Sequence, residues 1–248
     1  MVTVIGLGEI GFETLKELCK KRSDVFGVDI NKKRIAELRR LGYRVGTEIP
    51  ASEIFIIAVY TTEQVLDVVK KLDYDAKPLV VVESTVMPGT YKKLLSSFDL
   101  VMFPHRYNPG DPSHHIFNLT RVMGGKPTAL ARAMRFYGRY ISKKYIHQTT
   151  GEIAELSKPL ENAYRFLEIS VAEEIAMLCK KKKIDFKKLR QACNSKWNID
   201  VKEARDGVNG KCLPKDTDLI NTFLAKNSFF ATAVNVDQNY RNKMKRKK

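Results

Sequence analysis

The chain has 248 residues, with 44 Lys and Arg against 28 Asp and Glu (formal net charge +16), 44% hydrophobic residues, 14 Gly and 9 Pro. This length suits one large domain or two modest ones, and the composition excludes disordered, collagenous and coiled-coil classes. No apolar run approaches the ~20 residues of a membrane-spanning helix, so no membrane partner is expected, and the basic balance favours polyanionic partners without choosing among them.

Val2-Thr3-Val4-Ile5 opens the chain as a buried strand, with no basic segment, apolar stretch and cleavage site before it, so a cytoplasmic location is expected. Ile10 to Lys21 reads as a helix, Phe26 to Asp29 as a second strand, and Asn31 to Leu41 as a helix opening on an Asn cap. Further strands are predicted at Ile54 to Val59, Leu79 to Glu83, Leu100 to Phe103 and Arg121 to Met123, with helical stretches at Glu63 to Leu72 and Thr128 to Tyr140. Alternation of short β-branched runs with amphipathic helices predicts an α/β fold, a doubly wound, Rossmann-type parallel sheet over 1–150.

From about Thr150 the pattern changes. Ile153, Leu156, Leu160, Ala163, Leu167, Val171, Ile175 and Leu178 recur at three- or four-residue steps, the mark of one long amphipathic helix that Pro159 should kink or break. Phe186 to Asn194 reads as a second helix, Asn198 to Asp218 as a loop, and Leu219 onward as a last helical segment running into a basic tail. The expected second unit, 151–248, is therefore mainly helical. Lys180 to Lys183 read as a solvated helix end, and Arg241, Lys243 and Lys245 to Lys248 as a disordered tail.

Gly6-Leu7-Gly8-Glu9-Ile10-Gly11 is a GxGxxG between a predicted strand and a predicted helix. Gly6 would permit the tight turn, Gly8 the approach of a pyrophosphate, and Gly11 close packing of helix and strand, with the helix N-terminus facing the anion. Asp29 ends the next strand, where a carboxylate binds a ribose diol and favours NAD over NADP. Four cysteines, at 19, 179, 193 and 212, form no CxxC pair, so neither a disulfide scaffold nor a metal site is expected. Cys19, Cys179 and Cys193 read as packing residues. Cys212 differs, because Gly207-Val-Asn-Gly-Lys-Cys-Leu-Pro-Lys-Asp216 is a turn-rich stretch in which Lys211 and Lys215 would favour a nucleophilic thiolate; a structural role is the alternative. Lys158 and Asn162 share one helix face and could both donate to an oxyanion, or simply be solvated. Ser84 and Thr85 come directly off a strand at the carboxyl edge of the sheet, as ligand contacts or as caps of the next helix.

Taken in order, the GxGxxG with Asp29, Glu83-Ser-Thr-Val-Met-Pro-Gly-Thr90, Pro104 to Asp111, the Lys158 and Asn162 helix and the Gly-Lys-Cys-Leu-Pro-Lys-Asp stretch resemble the UDP-glucose and UDP-N-acetylhexosamine dehydrogenases over nearly the whole chain. The resemblance implies NAD-dependent oxidation of a UDP-sugar's primary alcohol to a carboxylate in two steps, through a cysteine thiohemiacetal and thioester. It casts Cys212 as nucleophile, Lys158 and Asn162 as oxyanion donors, and Asp216 with Thr85 as the groups activating water. Arg106, Lys158, Asn162 and Gly210 would contact the substrate, and Gly6, Gly8, Glu9, Ile10, Gly11, Asp29, Thr61, Ser84 and Thr85 the cofactor. It further implies a homodimer through the central helical domain.

Three departures from the family pattern carry expectations. His105 stands where the family has a Glu that assists thioester hydrolysis, and a histidine could act as base near neutral pH. Asn209 replaces a glycine, so it should take a left-handed conformation or reshape the site. The chain stops in its basic tail where the family continues into a C-terminal UDP-binding domain, so a truncated product, a non-catalytic NAD-binding subunit and an enzyme completed by a partner chain are all open. A simple hydroxyacid dehydrogenase would need no Cys212, and nucleic-acid binding through the tail is the weaker alternative.

Overall fold

A computed structural model of the chain describes residues 1–72, 77–95, 98–111, 113–224 and 228–245, with side chains to 243. Of the basic stretch expected as a disordered tail, Arg241, Lys243 and Lys245 are helical, which corrects that expectation, and residues 246–248 lie outside the described residues. Two compact units divide the chain, residues 1–158 and 159–248.

The first unit is an eight-stranded sheet in the order β3-β2-β1-β4-β5-β6-β7-β8. Its strands are β1 (Val2–Ile5), β2 (Val25–Val28), β3 (Val45–Gly46), β4 (Ile54–Ile57), β5 (Leu79–Val82), β6 (Asp99–Met102), β7 (Arg121–Gly125) and β8 (Ile146–Thr149). All neighbours are parallel except β6 and β7. Between them run α1 (Glu9–Cys19), α2 (Lys32–Arg40), α3 (Thr62–Val69), α4 (Thr90–Leu94) and α5 (Pro127–Tyr137). The predicted strands and longer helices are present with ends shifted by at most three residues; β3, β8 and α4 are additions, each too short to show a period.

Alternate residues of each strand feed two cores, which is why these strands read as continuous apolar runs. Val4, Ile56, Val81 and Val101 pack with Leu15, Leu18 and Phe136 on one side, while Ile5, Phe55, Ile57, Val80 and Val82 pack with Val65 and Val69 on the other. At about 1.5–3 kcal/mol for each buried aliphatic side chain, these layers fix the register. The strand order reverses between β2-β1 and β4, and that switch places a crevice at the carboxyl ends of β1 and β4.

The second unit is built from the rest of α6 (Gly151–Lys182), with α7 (Phe186–Asn194), α8 (Cys212–Phe223) and α9 (Phe229–Lys245). Two expectations are corrected here and one is narrowed. Of the kink or break expected at Pro159, the break is not found: α6 runs through it, since one missing amide is outweighed by the bonds of the flanking turns. The loop predicted to Asp218 ends at Lys211, so Cys212 and Asp216 are helical. The apolar stripe of α6 is not its buried face: apart from Ala163 none of its residues is buried, and Leu160, Val171 and Leu178 are exposed, whereas Asn162, Phe166, Ser170 and Glu173 are buried. Lys180 to Lys183 are exposed at the helix end, as the sequence suggests. No helix of the described residues is long and apolar enough to cross a membrane.

Candidate functional site

In the first unit the glycine loop follows β1 at the switch point. Gly6 has φ +89, and a Cβ there would meet Ala58 O at 2.5 Å, so only glycine makes this turn. A Cβ on Gly11 would lie 1.8 Å from Gly6 O, which is the close helix-to-turn packing expected of the third glycine. A Cβ on Gly8 would have nothing within 4 Å, and Gly8 is exposed immediately before the first turn of α1. This open face beside unpaired helix amides fits a pyrophosphate. Glu9 is exposed and Ile10 half-buried at the start of α1.

Asp29, half-buried just past β2, accepts from Leu7 N (2.7 Å) and Asn31 N (2.8 Å). Arg34 Nε donates to Leu7 O (3.0 Å) and the guanidinium lies over the Phe12 ring, so the Leu7 peptide is held from both sides. The sequence reading missed Arg34, which stands five residues after Asp29 on the exposed end of α2 and carries no motif signal. Within the described residues the loop, Asp29 and Arg34 form one bonded assembly whose open side is Gly8.

Thr61 caps α3 by accepting from Gln64 N (3.2 Å), with the Gln64 side chain returned to the Thr61 amide (3.1 Å). Ser84 is buried and bridges strand ends: Val59 N donates to its Oγ (2.9 Å), and the Oγ donates to Val59 O (2.8 Å). Its hydroxyl thus shapes the crevice wall and does not cap a helix; the N-cap of α4 is Gly89. Thr85 is half-buried beside it. Glu155 on α6 accepts from Gly89 N (2.8 Å) and Tyr91 N (2.7 Å), and burial pushes its carboxyl up from the usual range against these bonds.

Beneath the carboxyl ends of β5 and β6 lies a network the sequence reading did not find. Glu83 Oε1 pairs with Arg121 Nη2 at 2.8 Å, both side chains fully buried, and Glu83 also accepts from Thr14 Oγ1 (2.9 Å) and Tyr137 Oη (3.2 Å). The Arg121 guanidinium stacks on Phe103 at 3.6 Å. The only sequence signals were two lone charges at the ends of apolar strands.

His105, expected as a base, is buried at 6% exposure, and its Nδ1 accepts from Tyr107 N (3.2 Å). Burial, then the positive charges of Arg121 and Lys158, hold its pKa well below the usual histidine range. The imidazolium is thereby disfavoured, and with Nδ1 accepting, Nε2 is the nitrogen left to carry the proton of the neutral ring. Nε2 has no hydrogen-bond partner among the described residues. Arg106 Nη1 donates to Thr120 O (3.0 Å).

In the second unit Asn162 Nδ2 donates to Asp216 Oδ2 at 2.6 Å, with both residues buried. Cys212 is exposed at the first position of α8, one turn before Asp216. Gly207 and Gly210 carry the positive φ angles ahead of it, and of the two outcomes expected at Asn209 the left-handed conformation is not the one taken. Cys179 is buried and Cys19 half-buried, but Cys193 is exposed.

Residues 152–239 match the UDP-glucose/GDP-mannose dehydrogenase family, central domain, and residues 2–59 match the TrkA-N domain. The chain is 30% identical to a UDP-N-acetyl-D-mannosamine dehydrogenase of Methanocaldococcus jannaschii, over 87% of this chain and 60% of that protein. It is also 30% identical to a UDP-N-acetyl-D-glucosamine 6-dehydrogenase of Pseudomonas aeruginosa, over 87% and 61%. A solved UDP-D-ManNAc dehydrogenase of Pyrococcus horikoshii superposes with a TM-score of 0.81 at 25% identity, covering 97% of this chain and 69% of that one. The chain thus spans about 60% of the length of the curated relatives it matches.

Proposed function

We propose that this chain, which carries the central domain of the UDP-glucose/GDP-mannose dehydrogenase family behind a doubly wound sheet, is an NAD-dependent dehydrogenase acting on the primary alcohol of a UDP-sugar. The observation that carries the reading is Cys212, exposed one turn from an Asp216 held by Asn162, in a chain that also builds an open glycine loop at the switch point. Alcohol-to-carbonyl oxidation alone needs no nucleophile; oxidation onward to the acid is served by one, because a second hydride leaves the aldehyde carbon once addition has made that carbon tetrahedral and given it an alkoxide oxygen.

NAD, when bound, would supply the hydride acceptor, one molecule in succession for each of the two hydrides. The backbone amides at Gly8, Glu9 and Ile10 would hold its pyrophosphate and Asp29 a ribose diol, while Thr61, Ser84 and Thr85 shape the wall of the crevice. Lys158 and Asn162 would donate to the substrate oxygen as negative charge develops there. Cys212 adds through sulfur to the aldehyde carbon, and loss of the second hydride from that adduct leaves a thioester. Water, deprotonated at Asp216, then cleaves the C–S bond, releasing the carboxylate and returning the thiol. His105 would serve as a neutral donor, and Arg106 with the Gly210 backbone would meet the sugar nucleotide. The exposed apolar residues Leu160, Tyr164, Val171 and Leu178 of α6 support a homodimer through this helix.

The test is NADH formation at saturating NAD with a panel of UDP-sugars, with Cys212→Ala beside the wild type. Two NADH per sugar and a uronic acid from the wild type, with the variant yielding no acid, are the expected results. No turnover with any sugar refutes a self-sufficient enzyme; activity recovered only on adding a second chain would identify a partner-dependent one.

A further inference from the structure

The turn that presents Cys212 is held by groups far along the chain. Val208 N donates to Asp237 Oδ1 at 2.8 Å, and Arg241 Nη2 donates to Val208 O, so one residue's backbone is gripped at both its amide and its carbonyl. Asp237 and Arg241 stand one turn apart on α9 and are themselves paired, Arg241 Nε to Asp237 Oδ2 at 2.8 Å. The Val208 side chain is 2% exposed and packs with Phe166 of α6 and Ala233 of α9. Gly207 completes the arrangement: its φ is +95, and a Cβ there would meet Arg241 Cζ and Nε at 2.6 Å, so the guanidinium occupies the space a side chain would fill. Nearby, Tyr240 Oη donates to Arg205 O at 2.7 Å.

A solvated tail arginine has no reason to lie against a glycine, and a buried carboxylate is costly unless its oxygens are engaged. Asp237 is 7% exposed with both oxygens engaged. Glu173 of α6, fully buried beside it, has its carboxyl pushed up by burial and by the neighbouring Asp237 carboxylate. The paired charges, the two-point backbone grip, the glycine contact and the anchored valine converge on one residue four positions before Cys212.

We infer that Asp237 and Arg241 are positioning residues, a clamp on Val208 that fixes the Gly207–Lys211 turn and thereby the placement of Cys212. The clamp is a property of the second unit, and its role in turnover rests on Cys212 being the reacting group.

The experiment uses the full chain and two readouts independent of activity. Amide hydrogen exchange is followed across residues 204–212, and iodoacetamide labelling of Cys212 is measured against exposed Cys193 in the same molecule. Asp237→Ala should speed Val208 exchange at least about tenfold and change the Cys212 to Cys193 labelling ratio at least about threefold, with α7 amides unaltered. Asp237→Asn, which keeps an oxygen for Val208 N, should restore most of the protection. Arg241→Met serves if the alanine variant does not fold, since it removes the donors to both Asp237 and Val208 O while keeping an unbranched stem, and it should show the same local loss. Unchanged Val208 exchange in a folded variant, or faster exchange spread evenly over the helices, overturns the clamp. A clamp that passes this test in a chain with no UDP-sugar turnover would sink the proposed reaction and leave the clamp standing.

Discussion

Substituting alanine at Gly8 and at Gly11 separates ligand binding from folding within one loop. At Gly8 the backbone has φ −66 and ψ −159, a region any residue adopts, and the added methyl has nothing within 4 Å. Gly8→Ala should therefore leave the midpoint of thermal unfolding unchanged or raise it slightly, by up to ~1 kcal/mol from the smaller entropy of the unfolded chain. The same methyl fills the face where a pyrophosphate would approach the α1 amides, so NADH affinity should fall at least about tenfold, equivalent to ~1.4 kcal/mol. At Gly11 the methyl would sit 1.8 Å from Gly6 O, against 3.4–4 Å for ordinary contact. Turn and helix would have to separate by roughly 1.6 Å, an overpacking cost at or above ~1–3 kcal/mol, so Gly11→Ala should lose both stability and binding. Fluorescence titration with NADH and chemical denaturation of the same samples read the two quantities. A Gly8→Ala variant that binds NADH like the wild type would refute the cradle, and one that unfolds readily would refute the geometry of the loop.

Arg121→Ala should cost about 3–5 kcal/mol, because it strands the buried Glu83 carboxylate, whereas an Arg121→Met, Glu83→Gln double variant should cost less than the single one; urea unfolding of the set would reject the pairing if the single variant were near neutral. The depressed His105 pKa means that below about pH 6.5 the unfolded chain takes up a proton that the folded one refuses, so stability falls with falling pH by up to about 1.4 kcal/mol per pH unit. His105→Gln should remove that part of the acid dependence, and an unaltered profile would show that His105 titrates normally. Asn162→Ala deletes the donor to a buried carboxylate at 2.6 Å and should destabilise by about 1–3 kcal/mol in chemical denaturation; a loss below 0.5 kcal/mol would place the pair in solvent.

The strand-and-helix order of the first unit and its glycine loop were legible in the sequence, because each depends on neighbours in the chain. Val2-Thr-Val-Ile, Leu79-Val-Val-Val and the GxGxxG declare themselves through runs and spacing that local backbone geometry imposes. So did Asn31, whose side chain accepts from Lys33 N and Arg34 N as a cap must. Cys212 was singled out for its composition but placed in a loop, since Gly207 and Gly210 punctuate the segment while nothing nearby marks the start of α8. The buried face of α6 was misread for a related reason. Periodicity reports where apolar residues recur, and this helix turns Asn162, Ser170 and Glu173 inward while leaving Leu160 and Leu178 outside.

What the sequence by itself determined is the α/β class, the mononucleotide-type loop and the set of residue types able to do redox and acyl chemistry. Only the tertiary structure decided which charges are paired, which imidazole is buried and which residue of the basic tail is structural. Glu83 meets Arg121 from 38 residues away, and Val208 meets Asp237 from 29. Such partners are chosen by the packing of elements distant in sequence, and the cost of burying an unpaired charge then fixes the protonation and the bonds that local patterns leave undetermined.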